Sequence, residues 1–390
     1  MQNKETKKVI VCMNELSTGG ASRSLLNFAT AMKDKCDLTL LFFRADGNMM
    51  EQIPDGVKVL IPNGYMSTFV AGLGNCKALG FKKYLFKFMM GSWLKVFKTN
   101  RPFLKFALKH SEKLTGYDCA ISFDKVRNKD DAWAGIADFV LNNISAEKKF
   151  IVTHDDYIEK DYNKHTISVY KKFNKVFAVS ESVKNHIASK VPELAEVLDY
   201  MYNFCDVDSI ISKKDLSVGL YGDGFNIVSV GRLSEEKGMI RVLNVMKRLH
   251  EEGLEFTYNI VGDGTQRAEI ENHIKKNFMT DYVVMHGRQS NPFPYMKQAD
   301  LFLLPSYREA APMVFAESFL SGTPVLSTQT TSAKELVADY GFVCENSEDG
   351  IYAGLLDLLQ NKYKIEEARE KVVHYNYPNE HIVKKYVKLF

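Results

Sequence analysis

Two α/β domains, each a doubly wound, Rossmann-like parallel sheet, are what this sequence predicts, on three observations. The chain has 390 residues, too many for one ordinary core, and two domains of roughly 150–200 residues suit that length. Short β-branched or apolar runs recur along it, each followed by a loop and a helical period. Unbroken apolar runs of this kind fit parallel strands covered on both faces. The alternation also occurs twice, interrupted by the polar, glycine-bearing stretch 202–224, and strand–helix alternation means parallel sheets.

In the first half, strands are expected at 7–13, 37–43, 57–61, 117–122, 149–153 and 175–180. The second half repeats the scheme at 225–231, 256–262, 282–287, 300–306 and 323–328. A helix over 239–252 places Ile240, Leu243, Met246 and Leu249 on one face and charges on the other. The domains are accordingly 1–205 and 206–374, with a C-terminal helix over 375–390 packing back on the first.

Composition narrows the function classes. Apolar residues make up 45% and charged residues 25%, as in soluble globular proteins. A net charge of +3 implies no nucleic-acid partner. The six cysteines are scattered with no C-x-x-C pair, and Cys12 and Cys119 fall inside strand runs, which suits buried thiols in a reducing compartment. MQNKETKK leads directly into a strand and does not read as a signal peptide. No apolar run approaches the roughly 18 residues of a membrane span. A cytoplasmic protein is expected.

In open α/β sheets ligands bind beyond the carboxyl ends of the strands, and two such sheets facing each other would put loops on both walls of a cleft. Three loops stand out. Gly19 and Gly20 follow the first strand and precede a helix expected to begin near Ser22. Glycine there admits a ligand close to the backbone, though a plain tight turn explains it equally. In SVGRLSEEKGMIRVL (229–243), Gly231 ends a strand, and Arg232 and Lys237 flank a turn into a helix. Two such cations suit a diphosphate; they equally suit solvated charges beside Glu235 and Glu236. In PSYREAAPMVFAESFLSGTPVLS (305–327), Pro312 fits the first turn of a helix ending at Gly322. The amides of Met313, Val314 and Phe315 would then be free. Glu309 can accept from neighbouring sugar hydroxyls or sit at the helix dipole, and Glu317 can face the same mouth or water.

Together these loops resemble glycosyltransferase family 4, of the two-domain GT-B fold. VGRLSEEKG is similar to that family's V-G-R-L-x-x-x-K-G, and Glu309 and Glu317 match its two glutamates with seven residues between. GDG (262–264), HGR (286–288), SGTPVLST and KELV follow in the family's order, as do STGGAS, IVTHDD and VFAVSESVK in the first half. The chain departs in Ala310-Ala311-Pro312 after the first glutamate, in Ser22, and in NFCD (203–206).

The resemblance implies a retaining transferase that moves a hexose or N-acetylhexosamine from a nucleotide diphosphate donor, UDP being the family's commoner choice. The acceptor would be a glycan or lipid-linked saccharide in bacterial surface-polysaccharide assembly. Arg232 and Lys237 would hold the diphosphate, with Gly231 and Gly262 beside them. Glu309, the Pro312-Met313-Val314 backbone and His154 would meet the donor sugar, Glu317 the ribose, and Arg288 the base. Gly19 and Gly20 would admit acceptor and phosphate. Family members generally work without a metal or other cofactor. The metal-like pair Asp206 and Asp208 lies in the hinge region, away from these loops.

One stretch bears on the acceptor. Residues 77–113 hold ten Lys or Arg and one acid, interleaved with aromatics, and Leu85, Phe88, Met89 and Trp93 fall near one helical face. Such a segment suits peripheral contact with an anionic membrane; ordinary helices with apolar faces turned inward fit the same pattern. Two competing readings keep the fold: a nucleotide-sugar 2-epimerase, and a catalytically inactive partner subunit.

Overall fold

The computed structural model describes residues 6–76, 80–155, 158, 162–217 and 219–390. The chain divides into two compact units: residues up to Phe204 together with Asn379–Phe390, and Cys205–Pro378.

The first unit is built on a parallel sheet of seven strands: β1 Lys8–Met13, β2 Asp37–Phe42, β3 Lys58–Leu60, β4 Leu114–Ser122, β5 Ile144–Thr153, β6 Lys175–Ala178 and β7 Leu198–Tyr200. Their order is β3-β2-β1-β4-β5-β6-β7. The second unit carries six parallel strands: β8 Asn226–Val230, β9 Thr257–Val261, β10 Val283–Gly287, β11 Leu301–Leu304, β12 Val325–Thr328 and β13 Gly341–Cys344, in the order β10-β9-β8-β11-β12-β13. Counted from its own first strand, the second sheet runs 3-2-1-4-5-6, the Rossmann order. β7 and β13 have no counterpart among the expected strands. Both are edge strands of three or four residues, and neither LDY nor GFVC is an unbroken apolar run.

The strands of the second sheet other than β10 each feed two cores. Leu301 and Leu303 of β11 pack in one cluster with Val242, Leu243, Met246 and Leu249 of the helix Met239–Glu251. Phe302 and Leu304 point the other way, toward Phe315 and Phe319 of the helix Met313–Ser321. That alternation is why the strands read as unbroken apolar runs.

The C-terminal helix Asn379–Leu389 belongs to the first unit. Tyr386 is buried there, its ring 5.0 Å from Phe28 and 5.7 Å from Phe204. Asp206 accepts from the Ser209 amide at 3.2 Å and so caps the helix Val207–Lys213. Five of the six cysteines are buried, Cys344 is half-buried, and all are free thiols.

The basic stretch forms the helices Phe81–Phe97 and Arg101–Lys109, with Lys77, Ala78 and Leu79 outside the described residues. The inward-facing alternative holds only in part in the longer helix, where Met90 is buried and Phe86 and Trp93 pack against Phe103. Phe81, Leu85, Phe88, Met89, Val96 and Phe97 are exposed, while Lys87 is buried. Among the described residues no helix is long and apolar enough to cross a membrane.

Candidate functional site

In a sheet ordered this way, the loops leaving the first and fourth strands run in opposite directions and open a gap between them. In the second unit those are the loops after β8 and β11. They carry Arg232 with Lys237, and Glu309. Lys237 and Glu309 meet there: Nζ lies 2.5 Å from Oε1, with the two side chains only 21% and 12% exposed. Ser306 Oγ donates to the same carboxylate oxygen at 2.7 Å. Arg232 stands at the exposed rim, donating to Glu236 Oε1 at 2.8 Å, and Ser234 Oγ donates to that oxygen at 2.7 Å. The two local alternatives for this loop therefore divide: Arg232 is a solvated cation paired with Glu236, and Lys237 is not.

Close backbone approach holds these loops in place. A Cβ on Gly262 would stand 1.8 Å from the Gly231 carbonyl oxygen, and one on Gly238, at φ +67°, would stand 2.4 Å from the Pro305 carbonyl oxygen. Arg241, buried one turn into the helix, donates to Pro305 O from Nε at 3.1 Å and from Nη2 at 2.5 Å. The same Nη2 donates to Asn346 Oδ1 at 2.8 Å, and the guanidinium lies 3.9 Å from the Tyr307 ring centre. Gly238 closes the VGRLSEEKG motif; Arg241, Ser306 and Asn346 were not foreseen. Arg241 lies on the charged side of the helix period, so nothing in the sequence signalled its burial.

The helix after this loop begins one residue later than expected. Pro312 precedes it with extended ψ (117°), and Met313 opens it. The Phe315 amide is not free either, since it donates to Pro312 O at 3.3 Å. The Met313 and Val314 amides make no hydrogen bond among the described residues. Glu317 is half-buried in the same helix. Arg288 is exposed after Gly287, the last residue of β10, two strands and so roughly 10 Å from β8.

The remaining candidates lie in the first unit. The helix after β1 starts at Gly20, before Ser22. Gly19 and Gly20 are exposed, and a side chain at either would meet nothing within 4 Å. His154 follows β5, with its ring 4.8 Å from Phe123 and its buried Nε2 without a partner among the described residues. Burial pushes its pKa down to about 4, so the imidazole is neutral at physiological pH. Asp156 of the IVTHDD motif lies outside the described residues.

Residues 212–377 match the family described as glycosyl transferases group 1. This stretch is a group 1 glycosyl transferase domain. It contains both loops and every candidate side chain of the second unit. Over 231 residues the chain is 27% identical to the uncharacterized glycosyltransferase MJ1059 of Methanocaldococcus jannaschii, covering 54% of this chain and 57% of that one. Over 119 residues it is 32% identical to the amylovoran biosynthesis glycosyltransferase AmsK of Erwinia amylovora, covering 28% and 29%. The chain spans about half the length of the first curated relatives it matches. Among solved structures, Anabaena Alr3699/HepE in complex with UDP-glucose superposes with a TM-score of 0.66 over 98% of both chains, at 18% identity. At that identity the likeness speaks for the fold, which is GT-B, with the glycosyl transferase domain as its second unit.

Proposed function

We propose that this protein transfers a hexose or N-acetylhexosamine from a nucleotide diphosphate, UDP above all, to a glycan or lipid-linked saccharide in surface-polysaccharide assembly, with retention at the anomeric carbon. The observation that carries the reading is the meeting of Lys237 and Glu309, 72 positions apart, at 2.5 Å beside the start of the Met313–Ser321 helix. An ammonium has three protons, so Lys237 can keep Glu309 and give another proton to a phosphate oxygen. Arg232 at the rim supplies a second positive charge, and the Met313 and Val314 amides supply neutral donors. These groups hold charge that grows as the bond from the sugar's anomeric carbon to the diphosphate breaks, a role that requires no metal. Glu309 accepts from sugar hydroxyls, Glu317 from the ribose, and Arg288 faces the base. On the first unit, His154 meets the donor sugar, and Gly19 and Gly20 leave room that their own packing does not require. The acceptor oxygen attacks from the face the diphosphate leaves, and its proton passes to the departing phosphate oxygen. The UDP-glucose complex of the Anabaena relative in fold supports UDP.

The exposed apolar residues of Phe81–Phe97 stand among the exposed lysines Lys82, Lys95 and Lys98. This supports peripheral contact with an anionic membrane, where a lipid-linked acceptor would lie.

Calorimetry with UDP, followed by a screen of UDP-sugars for slow hydrolysis without acceptor, tests the reading. UDP should bind, and Arg232→Ala should weaken it. Failure of UDP and other nucleoside diphosphates to bind would sink it. Epimerised sugar in place of free sugar would replace transfer with 2-epimerisation.

A further inference from the structure

The loops after β1 and β4 flank the gap of the first sheet, the loop after β2 lies next to that of β1, and all three carry groups that the donor chemistry leaves unused. Arg44, after β2, places Nη1 2.7 Å from Glu15 Oε2, after β1, and Nη2 2.7 Å from Asp46 Oδ2. Its guanidinium carbon lies 5.8 Å from the ring centre of Trp133, in the loop after β4. Trp133 is 37% exposed, yet its position is fixed: its amide donates to Asp131 Oδ1 at 2.7 Å, and the Asp131 carbonyl accepts from Asn100 Nδ2 at 2.7 Å. The buried ammonium of Lys87 lies 5.6 Å from the same ring.

An indole next to an arginine that holds two carboxylates has the chemistry of a sugar subsite. A pyranose presents a plate of C–H groups edged by hydroxyls. The indole takes the plate, and each carboxylate accepts hydroxyl protons from the edge. Charge narrows the ligand further. Glu15 and Asp46 offset Arg44 and the Lys87 ammonium, so these four groups carry no net charge and leave no surplus cation to hold an anionic sugar. We propose that Glu15, Arg44, Asp46 and Trp133 form a subsite for a neutral pyranose of the acceptor. This rests on the transferase reading above and adds to it the acceptor's chemical class and the residues that select it.

The chain has two tryptophans, so Trp93→Phe leaves Trp133 as the only indole. Trp93 Nε1 has no partner among the described residues, so that replacement breaks no described hydrogen bond. The variant is titrated with the methyl glycosides of glucose, galactose, N-acetylglucosamine and glucuronic acid while its emission is followed, and UDP binding is measured in parallel. The expected result is a saturable change with at least one neutral glycoside, weakened about tenfold by adding Glu15→Gln, with UDP affinity unchanged. Calorimetry on Trp133→Ala should show that glycoside lost and UDP retained. UDP binding without any saturable response to a neutral glycoside overturns the subsite and leaves the transferase reading standing. A response to the glucuronide alone also overturns it. Absence of UDP binding in the parent protein removes the transferase reading, and this inference with it.

Discussion

The Arg241 guanidinium donates twice to the Pro305 carbonyl oxygen, from 3.1 Å and 2.5 Å, and so ties the helix behind Lys237 to the loop that carries Glu309. Arg241→Ala should leave that carbonyl and Asn346 Oδ1 without their buried donor and cost about 2 kcal/mol of stability. Arg241→Lys should recover part of the stability. Because it offers a point charge in place of a fork, it should recover less of the donor-hydrolysis rate. Denaturant melts and kcat on both variants separate the two effects. Equal recovery of both would reduce Arg241 to a packing role.

Lys237 and Glu309 should separate by ligand. Lys237→Ala removes the phosphate donor and should lower the transfer rate by about 10²–10³-fold, weakening UDP and UDP-glucose alike in calorimetry. Glu309→Gln keeps the shape and should leave UDP affinity within a few-fold while abolishing the extra affinity of UDP-glucose over UDP. Equal loss of both ligands in Glu309→Gln would assign that carboxylate to holding Lys237 in place.

Gly262 has no room for a side chain. Gly262→Ala sets a Cβ against the Gly231 carbonyl, at φ +153°, and should destabilise the second unit by about 2–3 kcal/mol. Gly19→Ala, with open space around it, should leave the melting curve in place. Thermal denaturation of the two variants side by side checks the contrast.

His154 makes stability depend on pH in a fixed direction. Burial lowers its pKa from 6.5 to about 4, so the unfolded chain takes up the proton first. Its contribution is complete above pH 6.5 and is lost as pH falls toward 4, on the order of 3 kcal/mol at most. His154→Gln should flatten this part of the profile in denaturant titrations between pH 7 and 4. An unchanged slope would mean that the imidazole takes its proton without cost in the folded protein.

Anionic vesicles at low salt should sediment the protein, and neutral vesicles should not. Lys95→Glu with Lys98→Glu should weaken binding by roughly 1 kcal/mol for each charge near the surface. Phe88→Ser with Phe97→Ser, both exposed, should weaken it without altering the salt dependence. Sedimentation that is indifferent to lipid charge would discard this contact.

Most of the fold was legible because its strands are buried on both faces, and burial leaves unbroken apolar runs such as VIVC and LFLL. All eleven expected strands are present. The edge strands β7 and β13 escaped because LDY and GFVC mix apolar residues with aspartate or glycine and form no unbroken apolar run. The start of the helix after Pro312 was misplaced by one position, since proline's fixed φ suits both the residue before a helix and its first turn. In the basic stretch the sequence left open which face is buried, and the structure leaves apolar residues outside and takes Lys87 in.

By itself, then, the order of residues determined the alternation of strand and helix, the two-sheet division, and which loops carry charge, because these follow from local period and burial. It could not determine that Lys237 meets Glu309, that Arg241 grips Pro305, or that Arg44 stands beside Trp133. Those pairs are 72, 64 and 89 positions apart in sequence. Only strand order brings them together, because the gap beside the first strand of each sheet gathers loops that the chain itself keeps far apart.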